Sequence, residues 1–139
     1  MLAAEHVLVA TGRSPNVETL VLPAAGIETD ERGAIAVDEH LRTTNPRVFA
    51  AGDVTLAPQY VYVAAYQGGL AAENAFAGAN KPVDLTALPG VIFTDPQVAT
   101  VGLTEAQARE AGHEARTSVL PVTAVPRGQV NHEDVGVLS

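Results

Sequence analysis

Apolar residues fall into two patterns along the 139-residue chain. Short unbroken runs read as strands buried on both faces of a sheet. One covers residues 5–10 (EHVLVA) and stops at Thr11-Gly12; another covers 47–51 (RVFAA) and stops at Gly52-Asp53. Residues 20–27 are apolar but broken by Pro23 and Gly26, which predicts irregular chain or a single helical turn. Glu28-Thr29 and residues 34–38 flank Asp30-Glu31-Arg32-Gly33, the pattern of a hairpin in which Gly33 supplies a positive φ. Thr43-Thr44-Asn45-Pro46 then turns the chain into the second buried run.

The second pattern is helical. Residues 60–77 form the longest helix candidate, with Ala64, Gly68 and Ala72 at every fourth position and Ala65, Gly69 and Ala71 beside them. Two glycines inside a helix cost about 1 kcal/mol each relative to alanine. That stripe therefore predicts close approach of a neighbouring backbone or a flat ligand. Gly78 is placed to close the helix. A turn-rich linker over 78–89 marks a subdomain boundary. Beyond it, residues 90–94 and 97–101 read as strands separated by Asp95-Pro96. Thr104 and Gln107 form a capping box for a short helix over 105–111, which Gly112 ends. A further strand is expected over 116–122, and the pattern at Val137-Leu138-Ser139 is again that of a strand. The fold class read from this order is α/β, passing to α+β in the C-terminal part.

Composition narrows the functional classes. A formal charge of −8, with Lys81 the only lysine, argues against nucleic acid or an anionic membrane as partner. No apolar run approaches the roughly 18 residues of a membrane span. The first residues carry no basic segment leading into an apolar one, so a cytoplasmic protein is expected. There is no cysteine, which excludes disulfides and thiolate chemistry within this sequence. His6, His40, His113 and His132 lie far apart without ligand spacing, so no metal site is expected.

Three strand or helix ends carry the candidate chemistry. Ala50-Ala51-Gly52-Asp53 combines small residues, which let a ligand approach the backbone, with a carboxylate suited to sugar or polyol hydroxyls. The same four residues also make an ordinary turn, with Asp53 capping something local. The helix start near Gln59, Tyr60 and Val61 offers free N–H groups and the positive end of the helix dipole, suited to an electron-rich carbonyl; a plain packing helix would look the same. Gly12 ends the first run, where a simple turn is the blander reading. Tyr60, Tyr62 and Tyr66 are spaced as packing residues at least as well as active-site phenols. Neither G-x-G-x-x-G nor a P-loop occurs, so no self-sufficient nucleotide site is encoded.

Three stretches, in this order and spacing, resemble the pyridine nucleotide–disulfide oxidoreductases. Residues 10–16 (ATGRSPN) look like the family's ATGRxPN segment, 43–53 (TTNPRVFAAGD) like its second flavin motif, and 91–104 (VIFTDPQVATVGLT) like the opening strands of its dimerisation domain. Within the family, residues 58–65 and 124–127 look most like the branch that reduces Hg(II). Dihydrolipoamide dehydrogenases, the second choice, usually carry MLAH and ANSRA there, where this chain has Gln59-Tyr60-Val61-Tyr62 and Ala124-Val125-Pro126-Arg127-Gly128.

The resemblance implies a partial flavin-binding Rossmann-like domain followed by the start of a dimerisation domain. Residues 1–14 would end the nicotinamide-nucleotide-binding domain, 15–82 would be the C-terminal segment of the FAD-binding domain, and 83–139 would begin the dimerisation domain. It also implies FAD and NADPH as cofactors, a homodimer, and Hg(II) as substrate of the parent enzyme. Asp53 would accept hydrogen bonds from the flavin ribityl chain, with Gly52 allowing the approach. Val61 would turn its N–H to the flavin ring beside Gln59 and Tyr60, and Gly12 would lie near the nicotinamide nucleotide. The family's first flavin motif, its redox cysteine pair and its nucleotide-binding glycine loop would lie upstream, and the rest of the interface domain downstream. This chain is accordingly expected to be inactive alone and to associate through the strand edges at 5–10 and 91–101. A non-catalytic binding or assembly module built from the same parts is the alternative from another class.

Overall fold

The computed structural model describes residues 3–132 and 135–139. Met1 and Leu2, which open the expected segment 1–14, and Glu133 and Asp134, within the expected segment 83–139, lie outside the described residues. The chain divides into two compact units, Met1–Val83 and Asp84–Ser139.

The first unit is built on helix α1, Val61–Phe76. Its buried residues Val63, Gln67, Leu70, Ala71 and Asn74 recur at helical spacing and define the face that packs. The expected stripe of small residues is not that face. Gly68, Gly69 and Ala72 are exposed, and a methyl group built on either glycine would meet nothing within 4 Å. Only Ala64 makes the close approach. Gly78, at φ 60°, follows the helix end, and Ala77 and Ala79 both donate to the Glu73 carbonyl.

Two apolar clusters fill this unit. Leu22, Ile27 and Ile35 pack with Val17, Val37, Val48, Ala50 and Val54. Leu41, Leu70 and Ala71 pack with Phe49 and Val83. Residues 20–27 form a 3-10 turn at Leu22–Ala25, closed by Gly26 at φ 68°. The hairpin at 28–38 is present in reduced form, as a bridge between Thr29 and Ile35 around Gly33 at φ 78°. Thr43, Thr44 and Asn45 are staples: Thr44 Oγ1 donates to Gly26 O at 2.9 Å, and Asn45 Nδ2 to Ala25 O at 2.7 Å.

Both buried strands expected in this unit are corrected. Residues 5–10 form no strand, and Val7, Leu8 and Val9 are 81, 90 and 76% exposed. An apolar run becomes a buried strand only where neighbours donate and accept along it, and the described residues supply none. Residues 47–51 keep one bridge, Arg42 to Phe49, with Arg47 exposed and residues 48–51 half-buried.

In the second unit, β1 (Gly90–Ile92) pairs antiparallel with β2 (Val98–Thr100), joined through Asp95-Pro96. Helix α2, Glu105–Glu110, begins in the expected capping box: Gln107 N–H donates to Thr104 Oγ1, and Thr104 N–H donates to Gln107 Oε1. Glu105 also engages Arg109 and Thr117. The strand expected over 116–122 shortens to β3, Leu120–Pro121, paired with β4, Val137–Leu138. Helix α3, Pro126–Asn131, was not foreseen; it starts on Pro126, whose fixed φ suits a first helical turn. Among the described residues of this unit only Gly128 is buried, and its apolar side chains are half-buried, as at Leu85, Leu88, Val91, Val122 and Val125, or exposed.

Candidate functional site

After the bridged Phe49, the backbone turns at Gly52 into a 3-10 turn, Gly52–Thr55. Gly52 has φ 77°, a region that an L side chain enters at a cost of about 1–2 kcal/mol. A methyl group there would also stand 2.9 Å from Ala64 Cβ. Conformation and space both require glycine. The chain must turn hard against α1 at this point, and Ala64 is the small residue that receives it.

The turn is held from within the helix. Gln67, 3% exposed, accepts the Gly52 N–H on its Oε1 at 2.7 Å. Thr55 Oγ1 closes the turn onto Gly52 O at 2.9 Å. Asp53 follows Gly52, exposed to solvent, and its carboxylate takes no hydrogen bond from the described residues. The reading of Asp53 as a local cap is therefore not realised. Nor does it end a regular strand: it stands in the first turn of the 3-10 segment.

One turn before Ala64 lies the start of α1. Tyr60 is its N-cap residue and supplies no side-chain cap, and the first turn carries no acidic residue. The Tyr60 carbonyl accepts from Val63 and Ala64, while the Val61 N–H finds no acceptor among the described residues. Val61 is 87% exposed. The positive end of the helix dipole and the Val61 N–H thus have no acidic side chain in the first turn to neutralise them. Gln59 and Tyr60 are half-buried beside them. The Tyr60 and Tyr62 rings stack at 5.1 Å between centroids, 9° from parallel. Partial desolvation, and then the Tyr60 phenol beside it, hold the Tyr62 phenol above the usual tyrosine value.

Gly52 and Asp53 therefore lie in the 3-10 turn and Val61 opens α1, with Tyr60 as its N-cap and Gln59 just before it, and the two elements are joined by the Gly52–Ala64 and Gly52–Gln67 contacts. Gly12 is not brought to them. It is exposed at φ 113° in a segment without regular structure, with nothing within 4 Å of a built methyl group. Gln67 was missed. Its signal is an amide at helical spacing with Val63, Leu70 and Ala71, next to the glycines of the small-residue stripe. Among the described residues no group of His, Asp or Glu is placed to hold a metal, and no helix is long and apolar enough to cross a membrane.

Comparison with known proteins gives one result throughout. Residues 1–68 match the family model described as pyridine nucleotide-disulphide oxidoreductase, and residues 88–138 match that family's dimerisation domain. Mercuric reductases from Bacillus cereus and Staphylococcus aureus are 58% and 57% identical over 137 residues, 99% of this chain but 22% and 25% of theirs. The chain thus spans about a quarter of the length of the curated relatives it matches. Among solved structures, the HOCl-induced flavoprotein disulfide reductase RclA from Escherichia coli superposes with a TM-score of 0.79 at 36% identity, covering 93% of this chain and 30% of that one.

Proposed function

Because the chain belongs to the pyridine nucleotide-disulphide oxidoreductases, we propose that it supplies one wall of the flavin site and the opening of the interface domain in an enzyme that reduces Hg(II) to Hg(0) with NADPH. The overall change is balanced: NADPH gives up a hydride, two electrons reach Hg(II), and one proton is released. FAD bound at this wall would relay that electron pair. Residues 1–14 close the nicotinamide-nucleotide domain in this reading, 15–82 complete the FAD domain, and 83–139 begin a homodimer interface. The enzyme would work in the cytoplasm.

The observation that carries the reading is the pairing of an uncommitted carboxylate with an uncapped helix start on two packed elements. A flavin presents complementary groups: ribityl hydroxyls that donate, and a ring edge that gains negative charge on reduction. Asp53 accepts from the first, and the Val61 N–H and helix dipole meet the second. Gln59 and Tyr60 border the ring, and Gly52 keeps a side chain out of the approach. Gly12 lies toward the nicotinamide nucleotide. With the carboxylate taken up internally, or an acidic residue in the first turn of α1, the fit would fail. Relatives named mercuric reductase at 57–58% identity favour Hg(II) over a dithiol substrate such as dihydrolipoamide.

The test is a hybrid enzyme, the Bacillus cereus mercuric reductase with its corresponding quarter replaced by this chain. NADPH-dependent release of Hg(0) at a rate near that of the parent is expected. A folded hybrid that holds FAD and oxidises NADPH but releases no mercury would contradict the substrate assignment.

A further inference from the structure

Gln67 has no role in the family resemblance and none in the reading above, yet it is the most buried polar side chain beside the candidate site. It sits at 3% exposure on α1, and its Oε1 takes the Gly52 N–H at 2.7 Å. Gly52 holds a left-handed φ of 77° immediately before Asp53, so this one bond fixes the backbone from which the carboxylate projects. The acceptor belongs to the same helix whose N-terminus carries the free Val61 N–H. It also carries no charge, so the positive end of α1 is not opposed from beneath.

We propose that Gln67 is a positioning residue for the flavin: its carboxamide locks the Gly52–Asp53 turn onto α1 and thereby sets the ribityl acceptor and the ring-edge donor at a fixed separation. The assignment rests on the flavin-site reading above. Two consequences separate it from mere packing. An isostere without a strong acceptor should release the Gly52 amide, and an isostere that accepts but bears charge should keep the turn while altering the flavin's electronics. A buried donor stripped of its partner is destabilised, and a tenfold change in an equilibrium constant corresponds to about 1.4 kcal/mol.

Two variants test this, Gln67→Met and Gln67→Glu. Amide exchange at Gly52 is measured in the full 139-residue chain, and FAD affinity and reduction potential in the hybrid reductase. Gln67→Met is expected to speed Gly52 exchange about tenfold and weaken FAD binding by about the same factor. Gln67→Glu is expected to return both toward the unsubstituted values while moving the flavin potential to more negative values, because a carboxylate disfavours added electrons. FAD binding unchanged in Gln67→Met would overturn the proposal. So would weakened binding with Gly52 as protected as before, since the loss would not run through the turn. An unsubstituted hybrid that takes up no FAD would instead sink the flavin-site reading itself, before any variant is compared.

Discussion

At the scale of single residues, the site depends on positions where size or hydrogen bonding leaves little choice. Gly52→Ala combines a strained backbone with a contact 2.9 Å from Ala64 Cβ, so it should lower the unfolding free energy by about 2–3 kcal/mol in urea melts. An unchanged midpoint would show that the turn is not pressed against α1. Asn74, buried at the far end of the helix, donates to His40 O and Lys81 O and accepts the Lys81 N–H. Asn74→Leu removes all three bonds and should cost about 3 kcal/mol. Asp84 offers a pH readout. The Thr86 hydroxyl and then its backbone N–H hold the Asp84 carboxyl below the usual carboxylate value. The folded value is depressed, so the stability this turn contributes is present above the unfolded value and is lost as pH falls through the folded one. In an NMR titration Thr86→Ala should move the Asp84 midpoint upward, and no movement would discount the hydrogen bonds. Glycines and asparagines of this kind were only half legible in sequence: Gly52 was marked as a strand-end glycine, but its partner Ala64 and its anchor Gln67 emerge only once the helix face is known.

Among elements, local signals were read well and partner-dependent ones poorly. The capping box at Thr104 and Gln107, the Gly33 hairpin turn, the strands around Asp95-Pro96 and the bounds of α1 all follow from residues a few positions apart. The runs at 5–10 and 47–51 needed neighbours to become strands, and apolar pattern cannot supply a neighbour. The small-residue stripe on α1 misled for the same reason, because it marks a face that could be approached without saying what approaches it. That face is open, so Gly68→Ala and Gly69→Ala should each stabilise the isolated chain by about 1 kcal/mol. A loss of stability would mean that something already presses on the helix there. Gly128 behaves oppositely: a methyl group would lie 2.3 Å from the Val122 carbonyl oxygen. Gly128→Ala should therefore unseat α3 from the Val122–Ala124 turn, seen as loss of amide protection over 126–131.

For the molecule as a whole, exposed apolar surface is the dominant property. Val7, Leu8 and Val9 stand in solvent in the first unit, as do Phe93, Val101, Val130 and Val137 in the second, where only Gly128 is buried among the described residues. Such surface is normally covered in a folded protein. Light scattering on the purified chain should accordingly report self-association rather than a sharp monomer, despite the charge of −8. With no cysteine to bind Hg(II), the chain should also leave NADPH unoxidised when FAD and Hg(II) are supplied; steady consumption above a protein-free control would contradict that. The central claim is that Asp53 and the start of α1 form a flavin wall, and equilibrium dialysis of FAD against the hybrid reductase and its Asp53→Ala variant tests it most directly. The unsubstituted hybrid should retain one FAD per chain, and the variant should bind it at least about tenfold more weakly, as expected for loss of a charged hydrogen-bond acceptor. Equal retention by a folded Asp53→Ala hybrid would place the flavin elsewhere and contradict the account.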